Sequence, residues 1–117
     1  MLTHYIIVRR DLPLGVCAAM ITHAAGESGA LYQNPDNGRF RHAVAVVLEV
    51  KNEQKLHAAA NLLWKHDIQN VEIHESGGAY HNQFMAIGLV PCERSKVDLI
   101  LEPFQTLKAL DKQSETV

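Results

Sequence analysis

Apolar and polar positions follow two different periods along this chain, and the alternation between them predicts its elements. His4-Tyr-Ile-Ile-Val8 is a β-branched and aromatic run bounded by Arg9-Arg10-Asp11, and it reads as a buried central strand. Leu12–Gly15 is a turn in which Pro13 suits a loop or a helix start. An alanine-rich helix is predicted from Val16 to about Gly29, where Ala18, Ala19, Ala24 and Ala25 permit close approach to a sheet. Gly26 and Gly29 weaken its far end. Asn34-Pro-Asp-Asn-Gly38 is the strongest turn cluster. His42–Val50 is almost continuously apolar, as expected of a strand covered on both faces. Asn52 then caps a helix whose Leu56, Ala59, Ala60 and Leu63 recur at helical spacing, with Lys55, Asn61 and Lys65 turned outward. That helix ends at Asp67. Gln69–His74 is a third strand, Glu75-Ser-Gly-Gly78 a turn, and about Gln83 to Val90 a fourth strand. Ser95–Leu101 is a short helix stopped before Pro103, and from Gln113 the chain frays.

Strands alternating with helices imply right-handed crossovers and parallel pairing. The last two strands, however, are joined by too few residues for a crossover helix, so they run antiparallel. The predicted fold is therefore α/β: three α/β/α layers around a four-stranded mixed sheet whose last strand is antiparallel. With 117 residues there is one domain, residues 1–110, followed by a flexible tail over 111–117. Charged residues at 21% and hydrophobic residues at 47% exclude disorder and coiled coil. The longest apolar runs, Ala43–Leu48 and Phe84–Pro91, are far short of a bilayer span. No basic stretch followed by an apolar one precedes the first strand, so no secretory leader is expected. Cys17 and Cys92 fit neither a disulfide framework nor zinc spacing, and are expected to be buried or inert thiols in a reducing cytoplasm.

The net charge of −2 gives the molecule as a whole no attraction for nucleic acid, so RNA contact would need a local basic patch. In open α/β sheets ligands bind beyond the carboxyl ends of the parallel strands. That rule selects Arg9–Gly15 after the first strand and His74–Asn82 after the third. The second stretch gathers a carboxylate, a hydroxyl, two imidazoles and a phenol around Gly77-Gly78. The same residues also suit a polar connection that needs Gly-Gly and Asn for turn geometry alone. Arg9 and Arg10 are candidate phosphate clamps, or simply a solvated surface. Arg39 and Arg41 form a second basic pair that the crossover puts at the opposite end of the sheet. His74, Glu75 and His81 could ligate a metal, but a glycine-flexible loop and a seven-residue histidine spacing argue against it, and no metal or other cofactor is expected. His23, about two turns into the first helix, is expected to lie beside the sheet, buried or half-buried and satisfied by a hydrogen bond. No nucleophile elbow, phosphate loop or dinucleotide fingerprint is present.

Three stretches together resemble the type 2 peptidyl-tRNA hydrolases: Tyr5-Ile-Ile-Val-Arg-Arg-Asp-Leu12, then Gly15 through Ala18-Ala19 to Thr22-His23-Ala24-Ala25, then Met85-Ala-Ile-Gly88 after the Glu75-Ser-Gly77 turn. The resemblance covers about residues 4–110. It implies a four-stranded mixed sheet between helices, a homodimer, a cytoplasmic location, and hydrolysis of the ester that joins a peptide to the terminal ribose of tRNA. It also implies a departure. Val16 occupies the position of the family's lysine, Met20 that of its glutamine, Glu75 that of its aspartate and Gln83 that of its threonine, whereas Gly15, His23, Gly77 and Gly88 match. Val16 and Met20 cannot donate to a phosphate or an oxyanion. Two main readings remain open. In one, the chain is an ester hydrolase with a rearranged site: Glu75 or His81 is the catalytic base, and Arg9, Arg10, Asp11, Asn82 and Gln83 hold the substrate. In the other, it is a non-catalytic dimeric scaffold that binds RNA or a protein partner. A more distant third reading is a small-molecule binder using the same cleft.

Overall fold

The computed structural model describes residues 2–32 and 43–108. The Asn34–Gly38 turn, Arg39, Arg41 and the tail predicted over 111–117 lie outside the described residues. The elements are β1 (Leu2–Arg9), α1 (Leu14–Ala30), β2 (Val44–Val50), α2 (Glu53–Lys65), β3 (Asn70–His74), β4 (Phe84–Leu89), β5 (Cys92–Glu93), α3 (Asp98–Leu101) and β6 (Gln105–Thr106). β1 lies inside the sheet, as its unbroken apolar run requires, and Tyr5 to Arg9 are all buried. It pairs in parallel with β2, from Thr3↔Val44 to Arg9↔Val50, and antiparallel with β4, where Ile7 faces Ile87. β3 pairs antiparallel with β4. β1, β2 and β3 therefore share one direction, and β4 is inserted between β3 and β1 against it.

Two features of the predicted fold are corrected, one in the sheet and one in the last helix. It has six strands rather than four, in the order β3-β4-β1-β2-β6 with β5 alongside β1. β5 and β6 are two residues each, pairing with Leu2–Thr3 and Leu48–Glu49. Elements so short carry no readable period. The predicted Ser95–Leu101 helix is a 3₁₀ turn at Arg94–Lys96 followed by the four-residue α3.

The three layers follow from which side chains each sheet face buries. Ile6 and Val8 pack with Cys17, Met20 and Ala24 of α1, while Tyr5 and Ile7 pack with Leu56, Ala60 and Leu63 of α2 and with Leu101 of α3. α2 begins as predicted, with the Asn52 side chain accepting from Lys55 N at 3.0 Å. The alanine-rich α1 approaches β4 so closely that a Cβ on Gly88 would fall within 3.0 Å of the Ala24 carbonyl oxygen and of Ser28 Oγ. The helix backbone occupies the space where a side chain would stand. Both cysteines are free, and burial raises each thiol's pKa, which keeps them protonated and unreactive.

His23, expected to be at least half-buried, is exposed on α1. The histidine that is satisfied between helix and sheet is His4. Ser28 Oγ donates to the Ala24 carbonyl, so His4 Nε2–H donates to Ser28 Oγ at 2.7 Å. Burial lowers the His4 pKa below its ordinary 6.5. The unfolded chain therefore binds this proton more readily than the folded one does. The stability is fully present above about pH 6.5 and is lost as pH falls toward the folded value. The melting temperature is expected to fall between pH 7.5 and 5.5, and to fall less in His4→Gln. Parallel pH profiles for the two proteins would exclude His4 as the cause.

Candidate active site

The carboxyl end of β1 and the connection between β3 and β4 meet through one side chain. Arg9, only 7% exposed, donates from Nε and Nη2 to the two carboxylate oxygens of Asp11, each at 2.9 Å. Its Nη1 reaches Gln83 Oε1 at 2.8 Å and the Phe84 carbonyl at 3.2 Å. The bidentate geometry suits a planar guanidinium, and the charge-assisted bonds hold Asp11 below the ordinary carboxylate range. Arg9, Asp11 and Gln83, three of the residues singled out in the sequence, thus form one cluster. Most of the Arg9 donors are already occupied within it.

The β3–β4 connection is closed by its own backbone. Glu75 N donates to Gln83 O at 3.0 Å, Asn82 N to Glu75 O at 2.8 Å, and Gln83 N to Tyr80 O at 2.9 Å. Gly78 and Asn82 take left-handed backbone conformations (φ 71° and 63°), which glycine accepts without strain and asparagine better than most residues. Inside this frame the two candidate bases bracket a single residue. Glu75 Oε1 accepts from Ser76 N at 3.1 Å, and His81 Nδ1–H donates to the Ser76 carbonyl at 2.8 Å. A carbonyl can only accept, so in the neutral ring the proton sits on Nδ1, and Nε2 has no partner among the described residues. His81 and Asn82 are exposed, Glu75 partly so.

Arg10 turns away from this group. Its Nη1 lies 3.3 Å from Glu49 Oε1, a carboxylate buried on β2, whose other oxygen accepts from Lys108 N at 3.1 Å. Arg9 therefore serves the β4 side of β1, and Arg10 the β2 side.

A family model described as peptidyl-tRNA hydrolase PTH2 matches residues 2–107. The chain belongs to that family. Comparison with curated proteins gives no match. Within this PTH2 domain Val16 packs against the apolar cluster under α1, and Met20 is buried in it, so two positions that the resemblance associates with polar groups here join the core. Among the described residues no three His, Cys, Asp or Glu side chains gather as metal ligands. His74 instead stacks flat on Phe84, with ring centroids 4.6 Å apart, and donates to Glu72 at 3.0 Å. No described helix is long and apolar enough to cross a membrane.

Sequence reasoning missed three charged or ionisable residues around this candidate site and its β2 side. Glu53, the first residue of α2, accepts from Phe84 N at 2.8 Å and so ties the helix start to β4. His57, one turn further on, makes a tilted ring contact with Phe84, the centroids 4.8 Å apart. Glu49 is the third. Each had a signal: Glu53 and His57 are four apart on a predicted helix, and Glu49 is a lone carboxylate inside an apolar strand.

Proposed function

We propose that this PTH2 domain hydrolyses the ester between an acyl or peptidyl group and the terminal ribose of tRNA, with His81 as general base. The observation that carries the reading is the fixed tautomer of His81: the Ser76 carbonyl takes the Nδ1 proton and leaves Nε2 to accept one from water. The water oxygen attacks the ester carbonyl carbon while its proton passes to His81 Nε2. The tetrahedral intermediate then collapses, the carbon–ribose oxygen bond breaks, and the imidazolium returns the proton to the leaving ribose oxygen. The products are a free acid and a tRNA with an intact terminus. Glu75 supports the turn through Ser76 N and keeps its second oxygen free to orient the water or the imidazolium. The Asn82 carboxamide stands next to the base in the chain, and in this scheme it stabilises the developing oxyanion in place of the groups that Val16 and Met20 do not provide. Arg9, held by Asp11 and Gln83, acts by fixing the connection to β1 rather than by touching the phosphate.

A second reading has its own support. With Val16 packed against the apolar cluster and Met20 buried in it, the same fold serves equally as a dimeric scaffold that binds RNA or a protein partner without catalysis. Turnover of an N-blocked aminoacyl-tRNA by the purified protein separates the two. Release of the blocked amino acid above a protein-free control is expected; its absence at high enzyme concentration would leave only the scaffold.

A further inference from the structure

Beyond the reaction centre, the carboxyl ends of β1 and β2 enclose a second group of charges. Arg9 is paired with Val50, and Arg10 N continues the ladder by donating to Val50 O at 2.9 Å, so Arg10 and Lys51 leave their strands side by side. Together with Glu49, Phe104 and Gln105 they line a cavity of about 210 Å³. That is smaller than the ~300–1,000 Å³ of sites that enclose a whole small molecule, yet ample for a single anionic group. Lys51 has no ion pair or side-chain hydrogen bond among the described residues. Arg10 is 42% exposed and keeps donors beyond the one directed at Glu49.

We infer that Arg10 and Lys51 form a subsite for a backbone phosphodiester of the acceptor strand of tRNA. The charge balance favours this ligand. Two cations and one buried carboxylate leave a single positive charge, which matches a phosphodiester, whereas a phosphate monoester at neutral pH carries about −1.5 to −2. Glu49 is the positioning residue: it holds Arg10 with one oxygen and the Lys108 amide with the other, so the guanidinium presents its remaining edge from a fixed place. The location separates recognition from chemistry. The cavity sits at the ends of β1 and β2, and the Glu75–Gln83 connection at the ends of β3 and β4, two strand spacings or about 10 Å across the sheet. The subsite therefore holds a phosphate some way back along the strand from the ribose that carries the ester. The inference rests on the tRNA reading above, and it can fail separately from it.

The test measures binding of deacylated tRNA over 50–300 mM salt for the wild type, Lys51→Ala and Arg10→Ala. Removing one phosphate contact is expected to reduce the slope of log K against log salt by about 0.7–0.9. Lys51→Ala is the cleaner variant, because among the described residues Lys51 makes no ion pair or side-chain hydrogen bond that its removal would break. In turnover, the same variant is expected to raise KM for N-blocked aminoacyl-tRNA while leaving N-blocked aminoacyl-adenosine, which has no phosphate, unaffected. Tight tRNA binding with an unchanged slope in both variants overturns the subsite and leaves the hydrolase reading standing. A reduced slope in a protein without ester turnover keeps the subsite and removes the hydrolase. Saturation of the Lys51 amide signal by inorganic phosphate alone at low millimolar concentration would mark a free-phosphate site and overturn the diester assignment.

Discussion

His81→Gln is expected to lower the hydrolysis of N-blocked aminoacyl-tRNA by about 10²–10⁴-fold, the usual contribution of a positioned acid–base group. The imidazole is exposed and its one side-chain hydrogen bond among the described residues is to the Ser76 carbonyl, so the variant should fold with a melting temperature close to that of the wild type. Glutamine keeps a donor for that carbonyl but has no nitrogen that can take a proton from water. If the proton transfer occurs in the transition state, kcat and kcat/KM fall together and KM stays in place. A rise in KM with kcat unchanged would make His81 a binding residue. Full activity in His81→Gln, with activity lost in Glu75→Gln, would transfer the role of base to the carboxylate.

Arg9→Met should cost about 3 kcal/mol of stability, the lower end of the ~3–5 kcal/mol that follows when one member of a buried ion pair is removed. The low end applies because Asp11 is 38% exposed and can be hydrated once its partner is gone. Gln83 Oε1 and the Phe84 carbonyl cannot recover so easily, since both face the place the guanidinium leaves. For a domain of this size the loss corresponds to a drop of roughly 10–15 °C in melting temperature. A second readout isolates the Asp11 bond. Arg9 depresses the Asp11 pKa, so this part of the stability is present above the unfolded value near 3.9 and disappears as pH falls through the folded one. Acid unfolding of Arg9→Met should begin at the same pH as that of Asp11→Asn. A melting temperature within 3 °C of wild type would mean that Arg9 is not the joint between the two connections.

Much of the scaffold was legible because its strongest patterns are local. The β-branched runs of β1 and β2, the Asn52 cap and the short link between β3 and β4 specify element type, order and relative direction without any tertiary information. β5 and β6 were invisible because a two-residue strand is defined by its partner, Leu2–Thr3 or Leu48–Glu49, and not by its own period. The candidate site was legible as a pair of segments but not as a division of labour. Arg9 and Arg10 are equivalent in sequence, yet successive side chains on a strand point to opposite faces. One consequently meets Gln83 and the other Glu49, and nothing in the dipeptide says which is buried. His23 was misjudged for a related reason. Its place on α1 depends on the phase of a helix whose alanines are nearly featureless, so neither face is marked as the inner one.

The bracket formed by Glu75 N with Gln83 O and Asn82 N with Glu75 O fixes the number of residues in the β3–β4 connection. One inserted or deleted residue would break the paired bonds and unseat the left-handed positions at Gly78 and Asn82. Under the proposed reaction, changes of acyl-group preference should therefore arise by exchanging side chains on a loop of constant length, with the exposed Ser76 and Ala79 as the positions free to vary and Tyr80 held by its packing under α1.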